Sequence, residues 1–421
     1  MPSSHTARSG HRIYGYLEIE SGDRRGRNVL RLKRSKSISI AIVGMAAVIA
    51  TGCSSSTATQ STGTSAPKAP AQPVFAGSGL LPFSVGQADG VSCSSVTDCV
   101  VVGDGIVYTR DGGVSWSTGV LPSEVNGGIH LAAISCPSTT DCVTGGDGPN
   151  GSAILYSGDG GATWSTGSFP YGPGLGGVSC SSASNCVGIG VGTVIVSSDG
   201  GASWTQTTAA SVPSGPNALS CSSESNCVAV AGYDPNSGTS GAAVTSDGGR
   251  SWVPGTVATG VHGLARVSCA SISDCIAVGE NGITSCTSSN GCVPLGSATG
   301  TIESTSDGGN NWTLIAAPKS VQQLNDVACP SITTCVAVGT GGASMGALWL
   351  YSRNAGASWA VGALSGGHGL AANALESVSC PTSRTCVAVG GGGSSPGSGS
   401  TLAFTSDGGS SWQFLARFPG G

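Results

Sequence analysis

Charge is scarce in this chain. Only 9% of its 421 residues are Asp, Glu, Lys or Arg, against about a quarter in an ordinary globular protein. So little charge, beside so much glycine, excludes coiled coils, helical bundles and nucleic-acid binders. Aromatic residues make up 5%. No apolar run reaches the ~20 residues that a membrane-spanning helix needs, and no stretch repeats apolar residues at helical spacing. Long disorder is excluded as well, because it combines high net charge with low hydrophobicity, and 39% of this chain is hydrophobic. What the chain has instead is 70 glycines, with Ser and Thr, around short apolar runs. That is the composition of a β protein with a polar, nearly uncharged surface.

The first fifty residues read as an address. Arg31, Lys33, Arg34 and Lys36 precede an uncharged stretch at 37–51, the length of a signal-peptide core. The stretch closes on Ala50-Thr51-Gly52-Cys53. This resembles the lipobox of bacterial lipoproteins, with Ala50 where that family most often carries Leu. The resemblance implies that Cys53 is diacylated on sulfur and becomes the mature N-terminus. It divides the chain into an upstream extension (1–28), a signal peptide (29–52), a tether (53–79) and a folded domain (80–421), with Val29 an alternative start. The Ser/Thr/Ala/Pro-rich tether has too few apolar residues to pack and, as a flexible chain, spans roughly 25–30 Å. Nine of the 17 basic and three of the 22 acidic residues lie upstream of Cys53, which leaves a net charge of −11 beyond it. With two lysines there, Lys68 and Lys319, the mature chain has no basic patch for nucleic acid or anionic headgroups.

Internal repetition sets the architecture. Seven segments open with a Cys-x5-Cys turn: Cys93/Cys99, Cys136/Cys142, Cys180/Cys186, Cys221/Cys227, Cys269/Cys275, Cys329/Cys335 and Cys380/Cys386. Each closes on a shared box. The boxes are TRDGGVSW from Thr109, SGDGGATW from Ser157, SSDGGASW from Ser197, TSDGGRSW from Thr245, TSDGGNNW from Thr305, the degenerate SRNAGASW from Ser352, and TSDGGSSW from Thr405. Successive first cysteines lie 41 to 60 residues apart, the period of a propeller blade. A V-S-C strand runs to the first cysteine, a C-V-A-V-G strand leaves the second, a third (such as 153–157) leads into the box, and the box Trp opens a fourth. The pattern predicts an all-β fold, a seven-bladed β-propeller with four-stranded antiparallel blades over 80–421. The chain enters on strand one of blade 1 and leaves on strand four of blade 7. Ring closure is therefore expected as a packing contact, with no strand exchanged between the termini.

The box, [ST]-x-D-G-G-x-x-W, resembles the Asp-box of the sialidase-type repeat superfamily. Asp111, Asp159, Asp199, Asp247, Asp307 and Asp407 are placed to accept backbone N–H bonds in the turn, and the glycines take positive φ without penalty. Trp116, Trp164, Trp204, Trp252, Trp312, Trp359 and Trp412 are placed to bury large rings between blades. A catalytic group is not needed seven times, so these residues read as structural. Sialidases clamp a substrate carboxylate with three arginines and use a Tyr–Glu nucleophile pair with an Asp acid. Here Arg110, Arg250 and Arg353 lie in boxes, Arg384 in a Cys turn and Arg417 in the terminal strand. Only Arg266 leads into an inner strand, so the triad cannot assemble. The blade pattern is also similar to that of the photosystem II stability and assembly factor family, propellers that hold partner proteins without chemistry. That resemblance implies a non-enzymatic scaffold. The arginine-rich patch that family uses for its partner is missing, so its client does not carry over.

With Cys53 set aside, sixteen cysteines form eight Cys-x5-Cys pairs, the eighth being Cys286/Cys292 in blade 5. In an exported chain these read as local disulfides. Zinc is the competing reading, but structural zinc favours pairs about two to four residues apart that close on a second pair or on His, and a ring holds these pairs apart. No metal and no cofactor is expected.

In a propeller the one-to-two and three-to-four turns share a face, so Cys turns and boxes crowd together there. The opposite face carries loops that differ between repeats and surrounds the mouth of the central channel, which is where chemistry is expected. Four repeats place an acid after strand two: Asp104, Asp147, Asp234 and Glu280. His130, His262 and His368, with Tyr171 and Glu124, lie in inter-blade loops entering the same face. Such an acidic half-ring with histidines suits a cationic group, a sugar or a metal; as plain loop residues, the same acids serve as turn formers. The insertion at 281–301 reads as a candidate recognition loop. The resulting expectation is a lipid-anchored, monomeric, non-enzymatic binding or scaffold module for an envelope protein or glycan, outside the cytoplasmic membrane. The alternatives are an extracellular glycan hydrolase or lyase using the top-face carboxylates, and a structural envelope protein without a specific small ligand.

Overall fold

Each Cys-x5-Cys turn reverses the chain between two strands, and each box reverses it again. The computed structural model describes residues 87–415 except 126–127, 149–150, 170–174, 209–210, 214, 235–238, 260–262, 283, 288–290, 295–298, 343–345, 364–373 and 392–399. Segments 1–28, 29–52 and 53–79 with Cys53, and also Tyr171, His262, His368, Arg417 and the side chains of Asp234, Cys286 and Cys292, lie outside the described residues. Seven sheets of four antiparallel strands follow one another in chain order, without exchange of strands between sheets. This is the seven-bladed propeller, closed by packing of the first inner strand on the last blade.

Burial explains the gradient across each blade. The second strands, such as Cys99–Gly103, Cys186–Gly190 and Cys386–Gly390, are buried along their whole length because both faces meet a neighbouring blade. That is why they read as unbroken apolar runs. The outermost strands are short and exposed, down to the two residues Ser117–Thr118. The core is correspondingly divided into seven clusters, one at each junction between neighbouring blades.

The serine of V-S-C ties these junctions together around the axis. Its Oγ accepts the N–H of the next blade's first cysteine, from Ser92 to Cys136 at 3.0 Å and on through Ser135–Cys180, Ser179–Cys221, Ser220–Cys269 and Ser268–Cys329. Ser379 closes the ring onto Cys93 at 2.9 Å. The sixth repeat has Ala328 in place of the serine, and Asp326 takes over. Its carboxylate accepts Ser377 Oγ at 2.8 Å and Val378 N–H at 2.9 Å.

On the opposite side of each blade, seven disulfides join the repeat cysteines with Cα–Cα separations of 4.0–4.1 Å. In Cys93–Cys99, Cys180–Cys186, Cys221–Cys227 and Cys269–Cys275 the two residues also face each other in the strand ladder. The other three blades correct the expectation that strand one runs to its cysteine. There it stops one residue short, at Ser135, Ala328 and Ser379. Cys136–Cys142, Cys329–Cys335 and Cys380–Cys386 are therefore joined through sulfur but are not ladder partners. The physical reason is the residue that follows. Ser94, Ser181, Ser222 and Ala270 each donate an N–H across the turn, as Ser94 does to Asp98 O at 3.1 Å. Pro137, Pro330 and Pro381 stand at that place in the other blades and have no N–H to donate. Cys142, Cys335 and Cys386 keep the partner on strand three that the second cysteine has in every blade, facing Ser157, Ser352 and Thr405.

The first residue after each box acid donates its N–H to a carbonyl of the same blade's Cys turn, as Gly112 does to Thr97 and Gly308 to Ser273, both at 2.9 Å. The second box glycine lies flat on the preceding blade. At Gly309, with φ 92°, a Cβ would meet Val244 Cγ1 at 2.8 Å. Blade 6 keeps the turn without the sequence: Asn354 Oδ1 accepts Ser358 N–H at 3.0 Å, and Ala355 is held at φ 60°. The insertion in blade 5 forms a separate hairpin, Thr284–Thr287 with Gly291–Pro294.

Candidate functional site

Residues from all seven inner strands line a space of about 160 Å³ on the ring axis. It shares Asp89, Ala132 and Arg266 with a cavity of about 230 Å³, which is lined also by His130, Ala265, Asn325 and Glu376. With the repeats aligned on the first cysteine, the polar lining residues of the inner strands, His130 apart, fall in two columns. Four residues before it stand Asp89, Ala132, Gly176, Asn217, Ala265, Asn325 and Glu376, and one place later Gly90, Ala133, Gly177, Ala218, Arg266, Asp326 and Ser377. In these columns blades 2 and 3 carry only Ala and Gly, while blades 1, 5, 6 and 7 carry charge.

Asp89 and His130 meet between blades 1 and 2. Asp89 Oδ1 accepts Gln87 Nε2 at 2.8 Å. Its Oδ2 is shielded from solvent without a hydrogen-bond partner among the described residues, and His130 Nδ1 lies 3.7 Å away. The same Nδ1 is 3.3 Å from Asp104 Oδ1, and Asp104 Oδ2 accepts the Gln87 N–H at 3.3 Å. Across the channel, Asn325 Nδ2 donates to Glu376 Oε2 at 3.0 Å and to Leu375 O at 2.9 Å. Arg266 Nη1 donates to Ala265 O at 3.1 Å. Among the described residues the two ion pairs both belong to His130, so Arg266 stands in the field of three carboxyls without pairing closely with any.

Burial dominates the electrostatics. It pushes the Asp89 carboxyl up, against the bond from Gln87 and the charges of His130 and Arg266. Burial and then the nearby Asp89 charge push Glu376 up, opposed by Arg266. Burial pushes up Asp326 too, although Arg266 and its own hydrogen bonds favour the ionised form. The mouth is thus rich in acceptors, holds protons more tightly than free carboxylates do, and carries one guanidinium. It suits a ligand with many donors, such as an amine or the hydroxyls of a sugar.

Of the residues the sequence singled out, Asp104, His130 and Asp147 come together, Asp147 opposite His130 in the ladder of blade 2. His130 opens the inner strand His130–Ser135 and is not a loop residue. Asp147, Asp234 and Glu280 likewise lie inside second strands, which run further than expected (Cys142–Gly148, Cys227–Asp234, Cys275–Glu280) because the hairpins to the third strands continue pairing. Glu280 is part of blade 5, where it faces Gly300 in the ladder. Glu124 is exposed in the turn Ser123–Val125, whose Val125 is buried. Arg110 and Arg353 reach the carbonyls of Asp159 and Asp407 in the next blade's box, and Arg250 bonds Asp247 O at 2.7 Å, all on the box face. Among the described residues no group of three or more His, Cys, Asp or Glu is arranged to hold a metal ion. Sequence reading missed Asp89, Asn325, Asp326 and Glu376. The two aligned columns are the signal that would have found them.

No protein-family model matches the chain, and no curated protein matches it. Solved structures share the ring. The GH74 xyloglucanase from Xanthomonas campestris aligns with TM-score 0.58 and 16% identity, over 80% of this chain and 55% of its own. YCF48 from Cyanidioschyzon merolae aligns with TM-score 0.50 and 15% identity, over 78% of this chain and 98% of its own. The WD40 repeats of RRP9 align with TM-score 0.51 and 11% identity, over 72% and 86%. This chain therefore spans little more than half of the xyloglucanase. At such identities the likeness shows the propeller fold alone.

Proposed function

We propose that this protein is an exported, lipid-anchored, monomeric propeller that binds an envelope protein or glycan at the mouth of its axial channel, without chemistry on it. The observation that carries this reading is the break in repetition at the inner strands. Asp89, Arg266, Asn325 and Glu376 stand in columns where blades 2 and 3 keep only Ala or Gly, and they surround one cavity with His130. The local disulfides suit an oxidising compartment outside the cytoplasm. The segment ending at Cys53 supplies the address and the lipid anchor, and the tether holds the ring clear of the membrane. The seven box turns are read as Asp-boxes that stabilise the ring.

A second reading, an extracellular glycan hydrolase or lyase, is favoured by one observation. Asp89 and Glu376 line the same cavity and both sit above the usual carboxyl range, as a general acid must. A panel of envelope glycans and amine-bearing peptides separates the readings when binding and turnover are followed together. Retention without turnover is expected, weakened by Asp104→Ala and His130→Ala. Turnover that disappears in Asp89→Asn or Glu376→Gln would replace binding with catalysis. Neither retention nor turnover would leave a structural envelope protein.

A further inference from the structure

Third strands carry an aliphatic residue two places before the box: Val107, Leu155, Ile195, Ala243, Leu350 and Ala403. In blade 5 that place belongs to Glu303, whose side chain is 0% exposed. It lies at the junction with blade 4, where Val228, Val230, Ala242, Leu264, Val267, Ala277 and Trp312 form the core. Glu303 Oε1 accepts the N–H of Ala258 at 3.0 Å, while Oε2 has no partner among the described residues. Ala258 belongs to the connection that leaves blade 4, bridges to the box of blade 5 through Thr256 and Asn311, and continues to the inner strand Leu264–Cys269 with Arg266 at the channel. The residue six places after the box Trp is Ala258 here but proline (Pro122, Pro170, Pro318) at three other junctions. Proline has no N–H to satisfy.

We propose that Glu303 is a proton-operated latch on the connection between blades 4 and 5. As a neutral acid it holds the Ala258 segment against the third strand. Once ionised it is a charge in an apolar junction with a single donor, which is relieved by opening that segment toward water. Release would act on the chain that carries Arg266 into the mouth.

Full burial with a single backbone donor disfavours the charged form, and this burial, opposed by the Ala258 N–H, pushes the carboxyl up to about 7. The titratable groups on the surrounding elements point elsewhere. Arg266 lines the channel, Glu280 ends the second strand, and Asp274 and Asp307 are held in the Cys turn and box by Ser271, Ser273, Asn311 and Thr305. Among the described residues no charge on blade 4 acts on the carboxyl. His262, four residues beyond Ala258, lies outside the described residues.

Amide hydrogen exchange of the full chain tests this, with protection normalised to intrinsic rates between about pH 5.5 and 8.5. In the wild type, protection at Thr256 and Ala258 should fall by about tenfold or more across that range, while the Val120–Thr163 bridge at the blade 1–2 junction keeps its own. In Glu303→Gln, which retains the acceptor for Ala258 without titrating, protection at Thr256 and Ala258 should stay level. An unchanged wild-type profile, an equal loss in Glu303→Gln, or equal losses at both junctions would each overturn the latch. None of these results depends on what the mouth binds.

Discussion

The box face and the channel treat their carboxylic acids in opposite ways. On the box face, Asp111, Asp159, Asp199, Asp247, Asp307 and Asp407 are held below the ordinary carboxyl range. Burial pushes Asp247 up, but donors from Ser251, Thr245 and Arg250 bring it down to about 2. The side chain and backbone of Asn311, with Thr305, do the same for Asp307. Around the channel, Asp89, Asp326 and Glu376 are displaced upward by burial. The box supplies its acid with a fixed set of donors, six times over, so those charges are spent on the turn. The channel acids are unique to their blades, are desolvated, and keep unfilled acceptor capacity at Asp89. Repetition marks structure here, and departure from repetition marks the acids of the channel.

The largest test of that division is reduction. Each clamp closes a loop of about seven residues and contributes roughly 2–2.5 kcal/mol by chain entropy. Reducing the seven described bridges should therefore abolish the cooperative thermal transition seen by near-UV circular dichroism. Gly309→Ala comes next. A positive φ and a Cβ 2.8 Å from Val244 should together cost about 3 kcal/mol in denaturant unfolding.

The pH profile of stability separates the two kinds of acid. Stability from the lowered box aspartates is fully present above about pH 4 and is lost as pH falls through about 2. The raised acids act in the other direction. Glu303 binds its proton more tightly folded than unfolded, so its contribution is greatest below 4.5 and declines until about 7. Unfolding free energy should peak in mild acid. Glu303→Leu should raise it by about 2 kcal/mol above neutrality, after the lost acceptor for Ala258 is counted, and bring no gain at about pH 4. The smallest effect is expected at Ala355→Gly, which relieves a left-handed alanine and should stabilise by about 0.5–1 kcal/mol, less than its strain because glycine also frees the unfolded chain.

The fold was legible because its signals recur. One Cys turn and one box per period announce four strands, and the count of periods gives the number of blades. The serine before the first cysteine of six repeats was visible only as part of a strand; its bond to the next blade requires the ring to exist. The mouth was half legible. Asp104, His130 and Asp147 stood out as polar groups at the ends of apolar runs. Asp89, Asp326 and Glu376 did not, because each sits inside or beside a strand whose residues read as ordinary until the repeats are superposed. Glu303 was hidden for the same reason, as one acid in a strand that otherwise matches its neighbours.

The central claim, that the box face holds the ring and the channel mouth does the binding, is tested most directly by capture from envelope extract on three baits. These are the wild-type protein, a mouth variant (Asp104→Ala with His130→Ala) and a box-face variant (Arg110→Ala with Arg353→Ala), each checked for an intact thermal transition. One protein or glycan retained by the wild type and the box-face variant, and lost by the mouth variant, is the result expected. The same ligand retained by the mouth variant, or lost with the box-face variant, would contradict it.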